Sequence, residues 1–460
     1  MPSFAKPISW IALAAILCAG MGGCSTYHSL PLSRSPHLAS SLADLDVDLP
    51  ATVATTTPAK IDVGKPLGID AVGLLAILND PELKSERGEM GVAQAGLLQA
   101  SLLPNPSAGL GYAALLGGPG TTASYTATLS ADIASIVTYH ARLQSAQARV
   151  EQVNADLLWQ EWQVAQKARL LALDIQSADR SVALSERELA LVSHEVATVR
   201  AATAAGNLDL TALAPLLAAQ AAAEQSLAAL TLERLKNWQA LDALLGLASD
   251  VRFAIAPPDL GAMPSDPDKL IASLPERRPD LVALQLGYRA SQENVRAAIL
   301  GQFPAFVLGG TWNQDTSNVR SAGPNVTFDV PIFNRNQGQI AEARATRLLL
   351  HEQYQARLNS AVEDIRGLVA QLKKLSADLD QANQGAASAA SLAETARAAY
   401  AQGNIDQRAW SDYETTALQR RLEVIALERS LGEARVMLTV ELGLGLPQTR
   451  ITPLDDAKSS

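Results

Sequence analysis

Two long stretches without proline constrain the fold of this chain more than any other feature. Residues 132–204 and 336–401 contain no proline and are rich in Ala, Leu, Gln and Glu, which favour helices. At a rise of 1.5 Å per residue, each stretch would form a helix of roughly 100 Å. A globular domain cannot accommodate a helix of that length, whereas a coiled coil can. The sequence therefore predicts long helices that pack lengthwise against one another.

Apolar residues within the two stretches recur at coiled-coil spacing. In the second stretch, intervals of four and three residues predict a seam formed by Leu358, Val362, Ile365, Val369, Leu372 and Leu379. In the first stretch, steps of seven residues predict a weaker seam formed by Val150, Leu157, Val164 and Leu171.

A turn is predicted at the end of each long helix, because a Gly-Asn pair follows each stretch and glycine readily adopts the left-handed conformation of a helix end. An aspartate follows each pair, where a carboxylate is favoured by the dipole of the next helix. The six residues of the two turns are Gly206, Asn207, Asp209, Gly403, Asn404 and Asp406. The returning helices, at about 209–245 and 406–442, are only about half as long. We therefore expect the short helices before the strands to stack on their ends.

The chain repeats its plan at a period of about 198 residues. Asp80-Pro81-Glu82-Leu83 is echoed by Arg278-Pro279-Asp280-Leu281, and the later glycine turns follow in the same order. Preserved order and spacing indicate two structural repeats. The expected segments are a signal peptide (1–23), an N-terminal extended segment (24–64), repeat one (65–247), a mid-height linker (248–274), repeat two (275–446) and a tail (447–460).

Each repeat is expected to contain a helix, two strands and a long helical hairpin. The first helices are predicted at about 86–103 and 280–301, and the strands at 107–116, 123–131, 305–314 and 326–332. The strands alternate between polar and apolar residues, as a sheet between lipid and water requires. Two hairpins leave open sheet edges, which would need partners from other chains.

The first 24 residues have the plan of a bacterial secretory signal. Lys6 precedes an apolar run, and small residues lead to Met21-Gly22-Gly23-Cys24. These four residues resemble a lipobox, in which the cysteine becomes the lipidated N-terminus after cleavage. We therefore expect a lipid on Cys24; an ordinary secretory signal with an incidental cysteine is the alternative. No later window offers about 20 consecutive apolar residues, so no transmembrane helix is expected.

The composition argues against several other classes of protein. Asp and Glu number 47 against 37 Lys and Arg, which gives a net charge of −10, whereas nucleic-acid binding needs a basic surface. Two cysteines and five histidines leave little material for a metal site. The sequence contains none of the enzyme signatures that place a nucleophile, a zinc ion or a phosphate. We expect no catalytic residue, metal or cofactor.

These features together resemble the TolC family of outer-membrane factors, particularly its lipid-anchored efflux-channel branch. The resemblance rests on Cys24, Arg278-Pro279-Asp280-Leu281, Pro331-Ile332-Phe333-Asn334 leading into Gly338, and the glycine turns. It implies a mainly α fold with a small β part. Two pseudo-repeats of long antiparallel coiled-coil helices and four strands per chain would form a trimeric α/β barrel, with a twelve-stranded membrane barrel and a periplasmic helical tunnel.

The resemblance also implies roles for particular residues. The turn residues at 206, 207, 209, 403, 404 and 406 match the periplasmic tips that contact an adaptor protein. Glu394 lies where relatives place an acidic ring that narrows the closed entrance, and three copies of one carboxylate would attract cations. The simpler alternatives are a solvated surface charge for Glu394 and helix-start carboxylates for Asp209 and Asp406.

The implied function is a passive exit duct, not an enzyme: the outer-membrane channel of a tripartite efflux or export system. Its partners would be two further copies of the chain, a periplasmic adaptor (membrane fusion) protein, an inner-membrane pump and the outer membrane, and no nucleic acid. The coiled-coil end would open like an iris, because paired helices can shift between two packings. The alternative is a lipid-anchored periplasmic coiled-coil adaptor without a pore.

Overall fold

The computed structural model describes residues 27–48, 60–260, 266–303 and 306–444. The chain divides into a unit that ends at Leu38 and a unit that begins at Ala39. The described part of the first unit, residues 27–38, contains no helix or strand. The predicted signal peptide, Cys24 and the tail after Pro447 lie outside the described residues.

The second unit contains nine α-helices and four strands within its described residues. The helices are α1 (Ile69–Asn79), α2 (Pro81–Ser101), α3 (Ala134–Ala204), α4 (Leu213–Leu245), α5 (Pro267–Ala272), α6 (Leu274–Arg277), α7 (Pro279–Leu300), α8 (Gln337–Ala401) and α9 (Gln407–Glu441). The strands are β1 (Ser107–Ala113), β2 (Ser124–Asp132), β3 (Phe306–Gln314) and β4 (Arg320–Phe328). The predicted class, mainly α with a small β part, is confirmed.

The two long helices and their stacked neighbours agree with the prediction. Helix α3 has 71 residues and α8 has 65, so each is roughly 100 Å long. Helix α4 ends at Gly246, where an added Cβ would lie 3.6 Å from Pro81 at the start of α2. Helix α9 likewise ends near Gly443, beside Arg277, the last residue of α6, which lies just before α7 begins at Pro279. In both repeats, therefore, a short helix and a returning helix meet end to end alongside a long one.

The predicted coiled-coil seams need correction. On α8 the buried positions include Ala361, Ile365, Leu368 and Leu372, whereas the predicted Val369 is exposed. Positions 368 and 369 lie about 100° apart on the helix, and only the placement of the partner helix decides between them.

The seam of α3 consists largely of alanines that the prediction did not count. Its fully or nearly buried residues follow seven-residue steps through Ala141, Ala148, Ala155 and Trp162, and the predicted Val150, Leu157 and Val164 are only partly buried. Small side chains bring neighbouring helices close together.

The largest apolar core lies where α1, α3 and α4 meet. It includes Leu75 of α1, Ile175 of α3 and Leu241 of α4. Asn79 ties the preceding segment to this core, because its amide side chain both accepts from the backbone N–H of Asp46 and donates to the carbonyl of Asp46. Helix α1 was not predicted from the sequence.

The four strands form one antiparallel sheet in the order β1-β2-β3-β4. The fourth strand begins at Arg320 and not at the predicted residue 326. The prediction placed its start too late because Gly323 and Pro324 are typical of a turn. Pro324 of β4 pairs with Gly310 of β3; β4 is an edge strand of this sheet, and an edge strand tolerates the missing N–H. Among the described residues, no helix is both long enough and apolar enough to cross a bilayer.

Candidate functional site

The sheet has one apolar face and one polar face. Residues that are paired across antiparallel strands lie on the same face, so the register assigns every strand residue to a face. One row of the apolar face contains Leu110, Ala127, Trp312 and Ala322. The adjacent row, on the opposite face, contains Gly111, Thr126, Asn313 and Ser321. The same alternation continues along the strands, and only Gln314 and Arg320, at the turn end, interrupt the apolar face.

The apolar face is exposed and carries aromatic rings at both ends. Leu110 is 89% exposed although it lies in the middle of this face. Near the turns, Tyr112 and Tyr125 have ring centroids 5.5 Å apart; near the helices, Phe306 and Phe328 have centroids 5.9 Å apart. An apolar band between two aromatic zones is typical of sheets in bacterial outer membranes. The sheet is therefore suited to face lipid on this side and water on the other.

Both edges of the sheet are open within the chain. Strand β1 pairs only with β2, and β4 pairs only with β3, among the strands that the structure describes. Unpaired edge strands are free to bind strands of other chains.

The junction from β4 to α8 is held by Asn336. This residue has a positive φ of 62° and donates through its amide nitrogen to the carbonyl of Ala298 at the end of α7, at 2.7 Å. The preceding Phe333, from the motif Pro331-Ile332-Phe333-Asn334, is 92% exposed. In repeat one, β2 passes almost directly into α3, and Ile133 donates its backbone N–H to the carbonyl of Phe306. The motif thus occupies the strand-to-helix junction that the resemblance implied.

The two predicted turns have the same geometry at the ends of their hairpins. Gly206 and Gly403 have φ angles of 73° and 75°, and the next residue, an asparagine, donates its backbone N–H five residues back, to Ala202 and Ala399. This hydrogen bond is the Schellman ending of a helix. Asp209 and Asp406 then accept backbone N–H groups of the next turn, each at 2.8 Å. The hydrogen bond from Thr211 lowers the pKa of Asp209.

The two tips differ in their surroundings. Near the second tip, Tyr400 and Trp410 stack with centroids 5.2 Å apart, and Arg397 of α8 forms an ion pair with Glu414 of α9. The first tip instead exposes Leu208 and Leu210.

Glu394 lies on the exposed surface of α8, about two turns before the second tip. It makes no hydrogen bond or ion pair with another residue of the described part of the chain.

The motif Arg278-Pro279-Asp280-Leu281 starts α7, as predicted, and also forms a buried ion network that the sequence did not reveal. The guanidinium of Arg278 donates twice to Asp280, at 3.0 and 2.7 Å, and contacts Glu441 of α9. It lies over the ring of Trp159, at 4.8 Å from the centroid. Burial alone would raise the pKa of Asp280, but hydrogen bonds and charges from Arg278 and Arg357 outweigh burial and lower it. Four helices, α3, α7, α8 and α9, are joined here.

Comparisons with known proteins agree with this geometry. Residues 270–444 match the family model described as outer membrane efflux protein. The cobalt-zinc-cadmium resistance protein CzcC of Cupriavidus metallidurans is 26% identical over 280 residues, an alignment that covers 60% of this chain and 66% of CzcC, just under two thirds.

Solved structures share the fold over almost their whole length. The Campylobacter jejuni CmeC outer membrane channel has a TM-score of 0.68 at 15% identity and covers 93% of this chain and 96% of its own. The open state of the Neisseria gonorrhoeae MtrE outer membrane channel has a TM-score of 0.66 at 16% identity. The match covers 92% of this chain and 99% of the MtrE chain.

The fold is similar to that of the solved outer membrane channels, and the resemblance to the TolC family is confirmed. Over residues 270–444 the chain resembles the outer membrane efflux protein family, and its fold is similar to that of the solved channels.

Proposed function

We propose that this protein is the outer-membrane channel of a tripartite efflux or export system, a passive duct that assembles from three copies. The observation that carries the proposal is the two-faced sheet with open edges, which continues into helices of roughly 100 Å. Three such sheets joined edge to edge would satisfy all six open edges and enclose a polar interior. The alternative, a periplasmic adaptor without a pore, does not account for the apolar sheet face, which would be exposed to water.

The wall residues support a duct that does not choose its cargo. The polar face of the sheet carries mainly Gly, Ser, Thr and Asn, which offer no strong charge or shape to a passing molecule. We assign cargo selection and energy supply to an inner-membrane pump, and opening to a periplasmic adaptor. No reaction is proposed for the channel itself.

We also propose roles for the two tips, Glu394 and Cys24 within this channel. The tips around Gly206 and Gly403 would contact the adaptor, because they are exposed and lie at the far end of the hairpins from the sheet. Glu394, close to the second tip, would form an acidic ring in the trimer. Cys24 would carry the lipid anchor.

The proposal is tested with protein extracted from outer membranes in detergent. Its mass is measured intact and after denaturation, and its conductance is recorded in planar lipid bilayers. We expect a trimer with an acyl-modified Cys24 and discrete channels. A monomer or dimer without conductance would exclude the duct and favour the adaptor, and an unmodified N-terminus would exclude the anchor alone.

A further inference from the structure

Three carboxylates surround one guanidinium where α3, α4 and α9 come together. Arg429 of α9 donates through Nε to Asp174 of α3 and to Glu433 of α9, both at 2.8 Å, and through Nη1 to Glu233 of α4 at 2.6 Å. The cluster therefore contains one positive charge and up to three negative charges. With all three acids ionised it would carry a net charge of −2.

Two of these carboxyl groups lie side by side. Oδ1 of Asp174 and Oε1 of Glu433 both accept from the single Nε–H of Arg429, each at 2.8 Å, and a proton on either carboxyl group would allow it to donate a hydrogen bond to the other. The side chain of Asp174 is only 16% exposed. Burial, followed by the hydrogen bond from Glu433, raises the pKa of Asp174 to about 7 against the opposing charge of Arg429.

Apolar packing beside the two acids limits how far they can separate. A Cβ at Gly432 would lie 2.7 Å from Cδ2 of Leu173, so the Leu173 side chain of α3 packs directly onto Gly432 of α9, beside the cluster. Val436, one turn further along α9, belongs to the same apolar core as Ala172 and Ile175 of α3. Separation of the two acids would require α9 to leave this core.

The neighbouring charges are already paired. Glu428 of α9 bonds to Arg180 of α3 at 2.6 Å, and Asp179 of α3 bonds to Arg234 of α4 at 3.4 Å.

Two further elements face this level of the helices. Arg169 of α3 bonds to Asp70 of α1 at 2.8 Å, and both residues line a cavity together with Asp259 and Arg435. From α8, apolar Leu372 packs with Leu431 and Ala434 of α9. Arg169 and Asp70 thus pair one to one. Within the cluster of Arg429, by contrast, three acids share one base.

We propose that the Asp174–Glu433 pair is a proton-operated latch: one shared proton fastens α9 to α3 and α4, and loss of that proton loosens α9. The docked state has the raised pKa and the undocked state the ordinary one, so docking binds a proton and strengthens as the pH falls through neutrality. If the pKa of Asp174 is about 7 in the docked state, the ratio of docked to undocked α9 should rise roughly 30-fold as the pH falls from 8.5 to 5.5. The consequence for the channel, which rests on the proposed function, is a hairpin that shifts more easily at alkaline pH.

The latch is tested by a distance between α3 and α9 that does not depend on conductance. Gln419 is exposed and Glu188 half-buried, and the two are hydrogen-bonded across these helices at 3.2 Å. Nitroxide labels are placed on Glu188→Cys and Gln419→Cys in the full chain and diluted with unlabelled protein. Their dipolar coupling is measured by electron paramagnetic resonance between pH 5.5 and 8.5, and labelled wild-type protein gives the background.

We expect a short, narrow distance distribution at pH 5.5 and a longer, broader one at pH 8.5, with the shortening setting in as the pH falls below about 7. Asp174→Asn and Glu433→Gln each supply a permanent amide donor and should keep the short distance at every pH. Asp179→Asn, which removes a carboxylate outside the pair, should leave the response unchanged. A wild-type distance that is independent of pH, or a response that persists in both amide variants, would overturn the latch. Because the distance reports docking alone, a failed latch and a failed channel are distinguishable.

Discussion

At the scale of single residues, buried ion pairs join the helices of this protein to one another. Arg278 has none of its surface exposed, yet its guanidinium is fully engaged by Asp280, Glu441 and the ring of Trp159. Burying an ion pair costs desolvation energy, and the cost is offset only while every partner is present.

Arg278→Met should therefore lower the free energy of unfolding by about 3–5 kcal/mol, because it leaves the carboxylates of Asp280 and Glu441 without their buried cation. The measurement is denaturant unfolding of the extracted protein, followed by circular dichroism. Arg366→Met is the matched control, because Arg366 also pairs with a carboxylate but the pair is exposed to solvent. Its ion pair with Glu363 should contribute less than about 1 kcal/mol. Equal losses in the two variants would contradict the role given to burial.

The tip glycines present a different residue-scale constraint, which is conformational. Gly403 has a φ of 75° and no atom within 4 Å of an added Cβ, so a side chain there would meet backbone strain and no clash. Gly403→Ala should destabilise the turn by about 1–2 kcal/mol, and Gly403→Asn by less, since Asn tolerates the left-handed region. Hydrogen exchange at residues 399–407 should become about 5- to 30-fold faster in the Ala variant, while the centre of α8 is unaffected. Faster exchange along the whole hairpin would show that the turn is not an independent unit.

At the scale of elements, much of the fold follows from local sequence. Missing prolines and the glycine turns placed α3, α8 and their ends within a few residues of where the structure has them. The start of β4 and the seam of α3 could not be placed in this way. Pro324 is acceptable only because β4 lies at an edge, and Ala148 and Ala155 are buried only because a neighbouring helix approaches closely. Both facts belong to tertiary packing.

The candidate sites divide along the same line. Gly206 and Gly403 could be found because a helix end demands a particular backbone geometry. The cluster of Asp174, Arg429 and Glu433 could not, since Asp174 is more than 250 residues from its partners along the chain. The spacing of Arg429 and Glu433, four residues apart on one helix, was the one local signal, and it equally fits an ordinary surface pair.

The two faces of the sheet give a prediction at this scale. Leu129 lies on the apolar face, between Ala108 and Gly310, and its neighbour Thr128 lies on the polar face. Leu129→Arg should cost about 2–4 kcal/mol, because it places a charge against lipid, whereas Thr128→Arg points into water and should cost little. The measurement is the fraction of each variant recovered as folded protein from outer membranes. Similar recovery of both variants would argue against a lipid-facing side of this sheet.

At the scale of the whole molecule, symmetry turns one exposed carboxylate into a ring. In a single chain, Glu394 is an exposed charge on α8 without a partner among the described residues. In a trimer, three copies near the tips would face a common axis if α8 lines the entrance. Three like charges held close together repel one another and attract cations, and both effects weaken as salt screens them.

Glu394→Ala should therefore raise the leak conductance of the reconstituted channel and reduce its preference for cations, because the three side chains that narrow the entrance and their negative field are both removed. Glu363→Ala, which removes an exposed acid from the same helix about 45 Å nearer the sheet, is the matched control and should change neither quantity. Conductance and reversal potential are recorded in planar bilayers at low and high salt, and the difference between wild type and Glu394→Ala should shrink at high salt. If the two variants behave alike at low salt, Glu394 is a solvated surface charge and the entrance is narrowed by other residues.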